Sequence, residues 1–287
     1  MARKKKIRLA ALNIKFSDQS RQRPEEYSNL WNFIAKRRIF GRTYSKQAIL
    51  IPGFKNIFED DPLRGIYGFM YKYYNLDPNT RWIDIATAEP IDDSIVTAIP
   101  HNIKPDYKDV VFVFYPQRHR LIFDYEIMTP SSAKFAFENL FAHKDVKNNF
   151  GQIEVFVISS SDEIERVIQL PNKTSINIRL TIPNPEDLSV EDTRVFQRLQ
   201  GQNISSLSLV QKSRHPDGIE LGDYEKSLMR LSCANGRTDV TVKESGESVT
   251  YSTKNSPQVI VGSYDPDQQT HIEAVREASG DELSKRN

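Results

Sequence analysis

The 287-residue chain is 38% hydrophobic and 27% charged, enough apolar side chain for a sizeable core and too much for wholesale disorder. No run approaches the ~18 apolar residues of a membrane span, and the single cysteine, Cys233, excludes an intramolecular disulfide and a cysteine-built zinc site. Net charge is +1, but residues 1–47 carry thirteen Lys and Arg against Asp18, Glu25 and Glu26, so +10 there is balanced by −9 on the rest. Such an asymmetry points either to a polyanionic partner or to a solvated surface with a basic leader. The opening Met-Ala-Arg-Lys-Lys-Lys has no apolar stretch behind it and does not read as a secretory signal, so a reduced, cytoplasmic setting is expected.

In chain order, imperfect alternation predicts a first strand over 7–16, and a polar loop follows. Pro24-Glu25-Glu26 starts a helix whose Tyr27, Leu30, Trp31 and Ile34 recur at the spacing of one buried face. Lys36, Arg37 and Arg38 fall in its last turn, where cations complement the helix dipole; Arg42 and Lys46 lie beyond that explanation. A short strand is expected over 48–52. Residues 65–74 place Tyr67, Phe69, Tyr71 and Tyr73 at every second position, the pattern of one strand face. That face is either sheet core or a surface on which bases stack. Residues 81–88 read as a further strand, and 89–108, with three prolines, as a loop.

The clearest architecture runs over 109–143. Two apolar runs, 110–115 and 121–125, flank Pro116-Gln117-Arg118-His119 and predict a β-hairpin. Thr129 then offers an N-cap to a helix with Phe135, Leu140 and Phe141 on one face and Phe137 near its edge. A strand over 152–158, a serine-capped helix over 163–170 and a strand over 175–182 follow, with a domain boundary expected between 171 and 187, where Asn184-Pro185-Glu186-Asp187 is turn chemistry. Beyond a helix over 191–199, strands are expected at 228–234, 239–244, 248–253 and 258–262. The predicted fold is therefore α+β: an N-terminal mixed α/β sheet domain (1–180), a C-terminal β-rich domain (181–264) and a polar, frayed tail (265–287).

Catalytic signatures are thin. The phosphate-loop, dinucleotide, nucleophile-elbow and HExxH patterns are absent from the sequence, and His101, His119, His143, His215 and His271 share no metal-ligand spacing. Glu59-Asp60-Asp61 and Asp92-Asp93 cluster carboxylates, but in turns where acids are ordinary. Cys233 reads as a small buried hydrophobe within a strand. No catalytic residue, metal ligand or cofactor is assigned. Three basic groups remain: the leader Arg3 to Lys6; Lys36, Arg37 and Arg38 with Arg42; and the turn Arg118-His119-Arg120. If the last two share one face, they form a surface that holds a phosphate backbone without reading sequence. In that case His119 could act as an acid or base against a phosphate; an exposed turn histidine is the plainer alternative.

The basic start running into Ala11-Leu12-Asn13-Ile14, and the segment 103–123 (IKPDYKDVVFVFYPQRHRLIF), resemble an uncharacterised bacterial family carried by phages, mobile elements and defence islands. In outline the chain also resembles the RexA-type proteins of phage exclusion. The resemblance implies a nucleic-acid-binding component of antiphage defence, with DNA favoured over RNA, homodimeric and with a second defence protein as a further partner. It brings no catalytic residue. The alternative readings are a metal-dependent nuclease or toxin effector, and a protein–protein adaptor docking through its C-terminal part.

Overall fold

Strand β1 (Lys5–Phe16) organises the molecule. In the computed structural model, which describes residues 4–59, 61–76, 83–90, 100, 102–182, 190–244 and 246–284, every residue of β1 from Leu9 to Phe16 is buried. Its alternation sends Ala10, Leu12, Ile14 and Phe16 into one core and Leu9 and Ala11 into another, so both faces of the strand are covered. Several sequence expectations fall outside the described residues: Arg3 of the leader, Asp60, Arg81 and Trp82, the Asp92-Asp93 pair, His101, the 184–187 turn and the tail's last three residues.

Helix α1 (Pro24–Arg37) follows, with proline in its first turn beside Glu25 and Glu26, and Lys36 and Arg37 in its last. Tyr27, Leu30, Trp31 and Ile34 are its buried stripe, as the spacing requires. Trp31 stacks on Phe112 at 5.8 Å and lies 5.0 Å from Phe114. Next come β2 (Phe40–Arg42), β3 (Gln47–Leu50), β4 (Phe54–Asn56) and β5 (Ile66–Tyr74), then a small separate hairpin of β6 (Ile83–Asp84) and β7 (Glu89–Pro90). Gly41 of β2 is required by contact: a Cβ there would sit 2.1 Å from the Ala136 carbonyl oxygen.

The expected hairpin is present as β8 (Lys108–Tyr115) and β9 (Arg120–Asp124), joined by a 3-10 turn over Pro116–Arg118. Helix α2 (Pro130–Phe141) starts where expected, with Thr129 Oγ1 accepting the Ser132 N–H. Its buried face carries Ala133, Ala136, Phe137, Leu140 and Phe141. Phe137 is thus central, and Phe135 is displaced to the flank, where it stacks on exposed Tyr44 at 4.0 Å. Helix α3 (Lys144–Phe150) and strand β10 (Ile153–Val157) complete this part.

The large sheet runs β10-β1-β9-β8-β5-β3-β2, with β4 also pairing β5, and every pairing is antiparallel. Helices α1, α2 and α3 cover one face over a core that includes Trp31, Phe112, Phe114, Phe123 and Phe137.

The second unit comprises α4 (Ser161–Gln169), β11 (Lys173–Thr181), α5 (Val190–Gly201), β12 (Ser206–Lys212), α6 (Asp223–Asn235), β13 (Gly236–Glu244) and β14 (Glu247–Ser252). Its antiparallel sheet has the order β12-β11-β13-β14. Two corrections follow. Ile164, Val167, Ile176, Ile178, Leu180, Leu228 and Val240 share one core, so the second unit begins near Ser160, and β11 belongs to it rather than to the first domain. Residues 228–234, expected as a strand, are the end of α6, with Cys233 buried on that helix. The apolar run Leu228-Met229 with Leu231 and Cys233 mimics a strand because α6 is buried around much of its circumference. The unit is therefore α+β, not β-rich.

The C-terminus supplies the third correction. Strand β15 (Val259–Tyr264) returns to the large sheet and pairs with β1 from Lys5↔Tyr264 to Ala10↔Val259. Helix α7 (His271–Ser284) then packs on the second face of that sheet, with Val275 fully buried beside Leu9, Val111, Val113 and Ile122. The His271 ring nitrogen Nε2 lies 2.9 Å from Asp124 Oδ2 at the end of β9. What reads as a polar tail is a docked helix with Glu273, Glu277 and Asp281 facing outward, while buried Ser279 donates to the Val275 carbonyl.

Candidate nucleic-acid interface

The seven basic residues expected to share one surface are dispersed by the fold. Lys36, Arg37 and Arg38 are exposed at the C-terminal end of α1. Arg37 is already engaged, with its guanidinium 3.2 Å from Asp145 Oδ2 and 4.7 Å over the Phe33 ring. Arg38 takes the left-handed conformation (φ 53) that ends the helix.

The hairpin turn behaves differently. His119 and Arg120 are only 2% and 3% exposed, and of the three residues Arg118 alone has appreciable surface. His119 adopts φ 55 and packs 5.1 Å from the Tyr27 ring, while its carbonyl accepts the Ile14 N–H at 2.8 Å. Arg120 opposes Asn13 on β1 and Tyr115 on β8. Tyr27 lies nine residues before Lys36, about 13 Å along the helix axis. The two basic groups therefore flank opposite ends of α1, and no merged patch forms. The exposed turn histidine is corrected too: His119 is held inside by the aromatic ring that α1 lays on it.

A different surface emerges on β5. Ile66 and Met70 enter the helix-covered core, so Tyr67, Phe69, Tyr71 and Tyr73 point to the other face. The register then extends this face outward. Tyr73 opposes Ala48, which opposes Arg42; Tyr71 opposes Leu50, which opposes Phe40. Arg42 thus lies two strands from Tyr73, roughly 10 Å away, on the same side of the sheet. Phe69 is 38% exposed, Phe40 41% and Tyr107 63%. Tyr107 meets Tyr71 edge-on at 5.5 Å. Helix α7 packs on β15, β1, β9 and β8, and its margin is marked by the Arg276 guanidinium, 4.3 Å over the Tyr67 ring.

Beyond that margin a groove of ≈ 510 Å³ is lined by Phe54, Lys55, Tyr67, Phe69, Tyr71 and Ile272, among others. Burial pushes the Tyr73 phenol upward, so it stays a neutral hydrogen-bond donor at physiological pH. One carboxylate, Asp109, shares the face opposite Tyr71. Exposed rings beside Arg42, Lys55 and Arg276 are the components of a stacking platform: every base offers a π face, and cations track the backbone.

The family model for a domain of unknown function, DUF4747, matches residues 5–279. The chain belongs to that family. The DUF4747 match starts at the first residue of β1 and ends within α7, so both units, the returning strand and the C-terminal helix as far as residue 279 lie inside one family domain. No curated protein matches the chain. Among the described residues, no helix is long and apolar enough to cross a membrane.

The β5 aromatics are visible in the sequence as an alternation, but their direction is not. Which face they occupy follows from β5 pairing with β3 and β8, and whether that face is covered follows from where α7 docks.

Proposed function

We propose that the protein binds nucleic acid without reading sequence, stacking unpaired bases on the aromatic face of β5 while Arg42, Lys55 and Arg276 contact the phosphates. The observation that carries this reading is the row Tyr67, Phe69, Tyr71 and Tyr73, directed away from the helix-covered core and continued across β3 to Phe40 and Arg42. The reading differs from a phosphate clamp on duplex built by Arg118, His119 and Arg120, because two of those three side chains are buried. Binding by stacking tolerates any base and favours single strands. DNA is the intended polymer, and the setting is an antiphage or phage-exclusion system in the cytoplasm. That part of the proposal is supported by the resemblance over 11–14 and 103–123, as is a homodimer, which light scattering on a sizing column reads directly.

The test is fluorescence anisotropy with a labelled oligo-dT and the matching duplex at about 50 and 200 mM salt. The single strand should bind more tightly, and replacing Phe69 and Tyr107 together with alanine should weaken it by on the order of 10- to 100-fold at unchanged fold. No binding at the lower salt, or equal binding by the double variant, would overturn the reading.

A further inference from the structure

A second site lies where the two units meet. There β1 passes out from under α7, and its outward residues Asn13 and Lys15 turn to the second unit instead. Asn13 Nδ2 donates to the Ala234 carbonyl at 2.9 Å and to Asn235 Oδ1 at 3.0 Å. Lys15 Nζ donates to the Ile182 carbonyl at 2.7 Å and to Asn235 Oδ1 at 3.4 Å. Beyond these two acceptors the ammonium faces Glu154, the cross-strand partner on β10, at 3.9 Å, beyond hydrogen-bonding distance, and the Phe156 ring at 5.4 Å.

This lysine side chain is 3% exposed, yet it lines a cleft of ≈ 670 Å³ between the units. The volume falls within the range of small-molecule sites. The lining is unusual in kind. It combines the carboxamides of Gln19, Gln22, Gln152, Gln200 and Asn203 with the hydroxyls of Ser17, Thr181, Ser205 and Ser206. Lys15 and Glu154 are the only charged side chains among the described lining residues. An interdomain clamp needs none of these amides, since Asn13 already ties β1 to α6 inside the protein.

We infer that this junction cleft binds an uncharged small molecule of nucleoside type, with Lys15 and Glu154 reading an adjacent carbonyl and N–H while the amides and hydroxyls hold its remaining polar edges. The pairing of types supports that class. An ammonium–carboxylate pair matches a lactam edge, which sets a carbonyl acceptor beside an N–H donor. Serine and threonine hydroxyls suit a ribose. The single cation is set against one carboxylate, which leaves no excess positive charge to hold a phosphate. Burial pushes the Lys15 amine down to about 8 against the partial opposition of Glu154, so its partners do not fully replace lost water. A ligand carbonyl would supply the missing acceptor. The inference does not rest on the stacking face, which occupies other strands.

The experiment is thermal unfolding and calorimetry of the full chain with guanosine, uridine, adenosine and free ribose as probes. Guanosine or uridine should raise the melting temperature by several degrees at roughly 100 times Kd, with adenosine, which lacks the lactam edge, weaker by tenfold or more. The rim variant carrying Gln200→Ala and Asn203→Gly, both at exposed positions and the second in the left-handed region (φ 54) that glycine adopts freely, should fold normally and weaken binding at least tenfold. Lys15→Met should abolish it. The inference is overturned if no nucleoside binds, if ribose alone accounts for the shift, or if the rim variant binds as the native chain does. Oligo-dT affinity, measured on the same rim variant, separates the two proposals: it should be unchanged here and falls only with the β5 aromatics.

Discussion

Strands β15, β1, β9 and β8 and strands β5, β3 and β2 present the same face of one sheet, yet α7 covers the first group and leaves aromatic rings exposed on the second. The difference lies in the side chains. Leu9, Ala11, Val111, Val113 and Ile122 make a low aliphatic surface against which Val275 and Ala278 can close. All four rings of Tyr67, Phe69, Tyr71 and Tyr73 are bulky, and the three tyrosines carry polar ends, so a helix laid over them would bury hydroxyls that need partners. One face of a sheet can thus be core at one end and binding surface at the other. Helix docking stops where the side chains change character.

The sharpest way to break this comparison is a charge on each half. Val275→Asp places an unpaired carboxylate in a site that is 0% exposed and should cost about 4 kcal/mol or more. Phe69→Asp, at 38% exposure, should cost under about 1 kcal/mol. Equal urea midpoints for the two variants would show that α7 does not cover the first half.

The next effect concerns Lys15, the cation that β1 buries after leaving α7. Its amine sits at about 8 in the fold against an ordinary 10.5. Between those values the unfolded chain holds a proton that the folded chain has released, so this group makes stability rise with pH across the window. Below pH 8 its full penalty is present, about 3 kcal/mol. Glu154 from β10 is the charged group facing it; α6 presents Asn235, and Ile182 presents its carbonyl. Burial pushes the phenol of Tyr115 up to about 12 and that of Tyr27 higher still; both act in the opposite sense, and only as pH passes the ordinary tyrosine range. Chemical denaturation at several pH values should show a rise from pH 8 to 10 in the native chain and a shallower one in Lys15→Met, where the amines of Lys72 and Lys173, also lowered by burial, still act in the same sense.

The exposed half predicts smaller effects that appear in binding rather than folding. Alanine at Phe69 or at Tyr107 alone should remove about 1 kcal/mol of stacking, the low end for one base, read by anisotropy, while the melting temperature barely moves. Arg42→Ala should be smallest, lowering the salt slope for single strands by about 0.7 and affinity only severalfold. An unchanged slope would take Arg42 off the surface that Tyr73 and Phe40 define.

Much of the fold was legible from local pattern. The proline start, stripe and closing cations of α1, the hairpin over β8 and β9, and the Thr129 cap of α2 all follow from residues within a few positions of one another. Elements fixed by distant partners were not legible. The end of α6 reads as a strand because a helix buried around much of its girth loses its polar stripe, leaving a continuous apolar run. His119 and Arg120 read as an exposed basic turn because nothing nearby in sequence announces that Tyr27 will close over the turn. At the junction cleft the sequence offers no motif, since its lining amides and hydroxyls come from four separate segments between Ser17 and Ser206 and are ordinary one at a time.

The sequence by itself determined which stretches are apolar on one side and which on two, and that β5 would carry a row of aromatic rings. Only the tertiary structure decided that Lys5 meets Tyr264, that β1 carries Lys15 into a cleft, and that the β5 rings face outward. Strand alternation fixes which side chains share a face, but pairing between distant segments chooses what covers that face.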